Sequence, residues 1–102
     1  MADDLAAAID DLAAGLEGVT RRKAGSVEEF LRGNVVFAVL EGPSLTVHLR
    51  DELADAAVRT PDTTRSGRGS GWVVFGPAAV DGFALDRARA WFESAWRFAG
   101  EP

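Results

Sequence analysis

A change in hydrophobic period constrains this chain more than any other feature. Near the N-terminus Leu5, Ile9, Leu12 and Leu16 recur at spacings of four, three and four, which lays a narrow apolar stripe along a helix over residues 3–17. Asp3 and Asp4 suit the amino end of that helix, where carboxylates accept orphan amide hydrogen bonds, and Gly18 can stop it in a left-handed conformation. From Val27 the period becomes that of strands. Val27–Leu31, Val35–Leu40, Leu45–Leu49 and Trp72–Phe75 are short segments rich in β-branched and aromatic residues, the first three separated by turns at Arg32-Gly33-Asn34 and Glu41-Gly42-Pro43-Ser44. Ser26 with Glu29 allows an alternative reading as a helical capping box; the β-branched run that follows and the Gly33-Asn34 turn favour a strand.

Helical spacing returns twice more. Asp51–Arg59 places Leu53, Ala56 and Ala57 on one side and ends before Pro61, which restrains the residue preceding it. Ala84–Ala99 divides sharply, with Ala88, Trp91, Phe92, Ala95 and Trp96 on one arc and Asp86, Arg89, Glu93 and Arg97 on the other. Between these helices Thr60–Gly71 has no periodicity and reads as a loop, long for a compact domain. The resulting order, α-β-β-β-α-β-α, predicts an α+β fold: a four-stranded, mainly antiparallel sheet with helices packed mainly on one face.

Composition sets limits on function. A chain that is 47% hydrophobic and 26% charged has enough apolar surface to fold, and 102 residues divided between two cores would leave each unstable, so residues 1–102 are expected to form one domain. The absence of cysteine removes disulfides, thiolate metal sites and cysteine nucleophiles. The start of the chain is acidic, where a secretory leader is basic, and no apolar run approaches the roughly 18–20 residues that span a bilayer; a cytoplasmic location and no membrane partner are expected. The net charge of −5 is already reached within residues 1–19, leaving the middle of the chain near neutral, so nucleic-acid binding would require a local basic patch.

Leu31-Arg32-Gly33-Asn34-Val35-Val36-Phe37-Ala38, the Leu45–Leu49 strand leading into Arg50-Asp51-Glu52-Leu53-Ala54, the Gly71-Trp72-Val73 strand and Glu93-Ser94-Ala95-Trp96 together resemble the small MmcQ/YjbR-like proteins over Glu29 to Ala99. That resemblance implies a compact α+β domain and, through the label such proteins often carry, DNA binding, without assigning the role to any particular residue. Leu16-Glu17-Gly18-Val19-Thr20-Arg21-Arg22 and Ser70-Gly71-Trp72-Val73-Val74-Phe75 resemble, more distantly, a small luciferase-like bacterial domain, although the histidine-rich strand that resemblance implies is reduced to His48.

No catalytic constellation is legible. His48 is the only histidine, alternates with Val47 and Leu49, and has no second histidine or cysteine to complete a metal or general-base site, so it reads as a structural or surface residue. Gly69-Ser70-Gly71 has the wrong spacing for a nucleophile elbow, and Glu28 and Glu29, adjacent in a strand, face opposite sides and cannot work as paired carboxylates. No cofactor is implied. The candidate binding residues are basic: Arg21, Arg22, Lys23, Arg32, Arg65 and Arg68, which would hold phosphates if the fold gathered them. Thr63, Thr64, Ser66 and Ser70 join Arg65 and Arg68 in the glycine-rich loop as anion-binding candidates, with a solvated connector and a charged edge strand as the plainer alternatives. Trp72, Trp91 and Trp96 read as core and rim.

One feature exceeds these plain readings. Val35–Leu40 and Trp72–Phe75 are apolar at both odd and even positions, so both faces of the sheet centre need cover, yet the final helix covers one face and the narrow stripe of the first covers little more. The leading expectation is therefore a non-enzymatic binding or regulatory module that uses a spare sheet face for a protein partner or a homodimer. DNA binding of the MmcQ/YjbR type and a small-molecule pocket between the final helix and the sheet are the alternatives.

Overall fold

The computed structural model describes residues 3–101, with side chains from residue 5 onward. Its elements run α1 (Asp3–Gly15), β1 (Val19–Ala24), β2 (Val27–Arg32), β3 (Val35–Glu41), β4 (Ser44–His48), α2 (Asp51–Ala57), β5 (Thr63–Arg65), β6 (Trp72–Phe75) and α3 (Gly82–Ala99). They form an α+β domain with one antiparallel sheet in the order β1-β2-β3-β4-β6-β5. The expected four strands are thus six, and the expected order gains a strand before Val27 and another within the Thr60–Gly71 loop. Both additions are edge strands. An edge strand of polar residues carries no apolar alternation, which is why Thr20-Arg21-Arg22-Lys23 and Thr63-Thr64-Arg65 carry no strand signal, although Thr63 is buried. The capping role expected of Asp3 and Asp4 lies outside the described side chains.

Three hairpins build the first four strands, each with a two-residue loop opened by glycine: Gly25-Ser26, Gly33-Asn34 and Gly42-Pro43. The three glycines have positive φ and the residues after them do not, the sign pattern of a type II′ loop, whose twist matches that of the strands it joins. The last pairing, β4 with β6, encloses α2 and β5. Gly71 sits opposite Leu49 at φ +81°, where a Cβ would collide with the Leu49 carbonyl, so a side chain is excluded there on two grounds.

All three helices pack on one side of this sheet. Phe30, Ala38, Val47 and Val73 lie in one cross-strand row, and Leu40, Leu45 and Phe75 in the next but one; these join Leu5, Ile9 and Ala13 of α1, Ala54 and Ala57 of α2, and Ala84, Ala88, Phe92 and Ala95 of α3 in a single buried cluster. A β-bulge makes this packing possible. Phe30 pairs with Ala38 but Leu31 pairs with Val36, leaving Phe37 as an extra residue that turns into the core beside Ala38. There Phe92 meets Phe30 and Phe37 edge-to-face, each at a centroid distance of 5.1 Å.

The ends of α3 are fixed by hydrogen bonds. Asp81 accepts from the Ala84 amide at 2.8 Å at the amino end, and near the carboxyl end Trp96 donates through Nε1 to the Glu17 carbonyl at 2.9 Å, tying α3 to the exit of α1. Arg32 covers the Trp96 ring at 4.0 Å and donates to the Trp96 carbonyl. Trp91, by contrast, buries its Nε1 without a partner. No described helix is long and apolar enough to cross a membrane.

Two stability predictions follow from this packing. Phe92→Ala removes both edge-to-face contacts and opens a cavity, and is expected to cost about 3–5 kcal/mol in urea unfolding. Trp96→Phe, which abandons the Glu17 carbonyl, is expected to cost at least ~1 kcal/mol more than Trp91→Phe, because removing the orphaned Trp91 donor offsets part of the lost contact area. Equal losses in the two variants would contradict that ranking.

Candidate functional site on the open face of the sheet

The face away from the helices is built by the same alternation that fills the core. Leu31, Val36 and Trp72 occupy one end, and the row Arg22–Glu29–Val39–Thr46–Val74–Thr64 crosses the middle. None of these side chains belongs to the buried cluster or packs against it. Leu31, Val36, Trp72 and Val74 are half-buried, and Val39 is only 4% exposed. No described helix lies over them. The apolar residues at both odd and even positions of β3 and β6 are therefore divided between a covered and an uncovered face.

Charged side chains cross this surface in a chain of contacts. Arg22 pairs with Glu29 at 2.6 Å, and Arg68 reaches the same carboxylate at 4.0 Å while lying over the Trp72 ring at 4.8 Å. Because β4 and β3 separate Trp72 from Glu29 in the sheet, the Arg68 side chain extends from the β5–β6 loop across the open face. Trp72 also meets His48, stacked at 4.9 Å with an interplanar angle of 12°; the imidazole Nε2 is 3.1 Å from the Ser70 carbonyl. His48 also neighbours Phe98, at 5.2 Å. His48 has a packing role here, as its sequence context suggests, and Trp72 belongs to the open face, whereas Trp91 and Trp96 pack against the core.

The basic residues singled out in the sequence are not gathered into one patch. Arg21 lies on the helix side of β1, where Glu28 binds its guanidinium at 3.1 Å and Asp10 of α1 adds a second carboxylate; hydrogen bonding to Glu28 foremost, opposed in part by desolvation, raises its pKa above the ordinary arginine value. Arg22 lies on the open face, and Lys23 is exposed on the same edge strand. Arg32 closes over Trp96 at the end of β2. Arg65, on the opposite edge of the sheet, pairs with Asp55 of α2, and Arg68 spans Trp72 and Glu29. Glu28 and Glu29 face opposite sides, as adjacent strand residues must.

The hydroxyls of the glycine-rich loop are likewise engaged. Thr63 is buried and bonds the Thr60 hydroxyl and the Pro61 carbonyl, Ser66 accepts from the Arg68 amide at 3.1 Å, and Ser70 donates to Asp51 at 3.0 Å; Thr64 stays exposed on the open face. Between α3 and the sheet, Phe92 packs edge-to-face on Phe30 and Phe37. Three shallow cavities are formed by described residues: one of about 310 Å³ beside the β1–β2 turn, one of about 180 Å³ between Arg50, Leu53 and Phe98, and one of about 360 Å³ beside His48, Arg50 and Ser70. Among the described residues no group of three or more carboxylates and histidines converges as a metal site would require.

What the sequence did not disclose is the crossing by Arg68. The residue lies in an aperiodic loop, and only the β5–β6 pairing turns it toward Trp72. Arg68→Ala is expected to uncover the Trp72 ring and red-shift tryptophan emission, while unfolding free energy falls by no more than about 1 kcal/mol, since an exposed cation–π contact and a partly exposed ion pair are each weak. An unchanged spectrum would mean that Arg68 does not cover the ring. No protein-family model, curated protein or solved structure matches this chain.

Proposed function

We propose that this chain is a non-enzymatic, cytoplasmic binding module that docks a protein partner on the open face of its sheet. The observation that carries the reading is the one-sided placement of the helices. Leu31, Val36, Trp72 and Val74 stand half-buried on a face with no described helix above it, while the residues of the other face form the core. A sheet face that no described helix covers is suited to burying its apolar side chains against another surface, and Arg22, Glu29 and Arg68, which cross that face, add polar groups to such a contact.

The DNA-binding role implied by the MmcQ/YjbR resemblance is supported less well. Nucleic acid needs a concentration of uncompensated positive charge, and Arg21, Arg22, Arg65 and Arg68 each lie against a carboxylate, on two faces and both edges of the sheet.

Photo-crosslinking in cells tests the docking reading. A photoreactive phenylalanine analogue at Val36 or Val74 is expected to give one defined adduct, and the same analogue at Asp11 on the exposed side of α1 none. Adducts of equal yield at all three positions, or no adduct from Val36 and Val74, would overturn the reading.

A further inference from the structure

We infer that the surface docked on the open face is the same face of a second copy of this chain; the inference rests on the docking reading above and specifies its partner. Shape is the first argument. The face is a sheet surface rather than a groove, so a peptide or a single helix would leave much of it wet, whereas another sheet can cover it. Stacked sheets pack at about −30° when their twists match, and a second copy carries an identical twist by construction.

Charge is the second argument. Alternation along the strands gives the face Arg22, Glu29 and Glu41, and Arg68 reaches over it from the β5–β6 loop, a balance of zero in a chain whose net charge is −5. A strongly acidic or basic partner gains nothing from such a surface, and its own copy is not repelled by it. The acidity lies elsewhere: α1, with Asp10 and Asp11 in its second half and Glu17 just beyond it, packs on the opposite side of the sheet. Face-to-face stacking would leave two sheet layers and the helices of both chains between these charges. At roughly 10 Å per layer the separation is on the order of 30 Å, beyond the ~8 Å screening length at physiological salt.

Area is the third. Six strands about 4.8 Å apart and five residues long give a flat footprint of roughly 450 Å² on each copy. Two such faces, with the relief of their side chains added, come to about the 1,200 Å² at which specific interfaces begin. The edge strand β1 offers no competing route to self-association, because pairing it with its own copy would set Arg21, Arg22 and Lys23 against one another.

Sedimentation equilibrium on the full chain tests the inference. The expected mass at high concentration is twice 10.8 kDa. Thr46→Arg, at a half-buried polar position in the middle of the face, is expected to weaken the dimer at least ~10-fold while circular dichroism shows the fold retained. Val74→Asp serves as an independent second variant, and Asp86→Asn, on the exposed side of α3, should change nothing. A single-chain mass across the concentration range, or a dimer that folded Thr46→Arg and Val74→Asp leave intact, overturns the second-copy assignment. If crosslinks from Val36 and Val74 then lead to a different protein, the docking reading survives without it; if they are absent too, both fail.

Discussion

The extra residue at Phe37 is the constraint on which the rest of the structure depends. Strict alternation through β3 would send Phe37 to the open face along with Val39. The bulge opposite Phe30 and Leu31 instead turns Phe37 inward next to Ala38, and the edge-to-face trio of Phe30, Phe37 and Phe92 gives α3 its seat. Once α3 is held there, Ala84, Ala88 and Ala95 allow it to approach the sheet closely, and α1 and α2 close the same layer on either side. One face is then saturated with helix. The other is left with the residues that alternation assigns to it, and because β3 and β6 are apolar in both registers, those residues are apolar.

Arginine lines aromatic rings mainly on the helix side of the sheet, and Arg68 does so on the open face. Five guanidinium groups lie over aromatic rings, on Phe30, Trp96, Phe98, Trp72 and Phe75, where about one such contact per 70–80 residues is usual. Arg32 and Arg87 also donate to main-chain carbonyls, and Arg21, Arg50 and Arg68 also meet carboxylates. The basic residues of this chain are thus largely spent on its own rim. That arrangement leaves little uncompensated charge for phosphate.

The sequence disclosed the parts of the fold whose side chains repeat with a period. β2, β3, β4 and β6 announce themselves by apolar alternation, α3 by its broad arc, and the open face by the two-sided apolarity of Val35–Leu40. β1 was hidden because every residue after Val19 is polar or small and exposed, at an edge where nothing has to be buried; Gly25-Ser26, a turn pair like Gly33-Asn34, was the one local sign of it. β5 was too short to show a period. The bulge could not be read either, since Val35 to Leu40 is apolar throughout and no polar residue marks the slip. Arg68 and Glu29, far apart in sequence and joined across the sheet, depended on a strand order that only the pairing of β6 between β4 and β5 establishes.

One chain buries one face of its sheet and leaves the other open. Because the protein contains no cysteine, single-cysteine variants report this without background. Thiol labelling at sub-micromolar concentration, where any self-association is diluted away, compares Val36→Cys and Val74→Cys with Val47→Cys and Val73→Cys. The account predicts rapid labelling of the first pair and, for the second, labelling limited by unfolding. Equal protection of all four positions would contradict it.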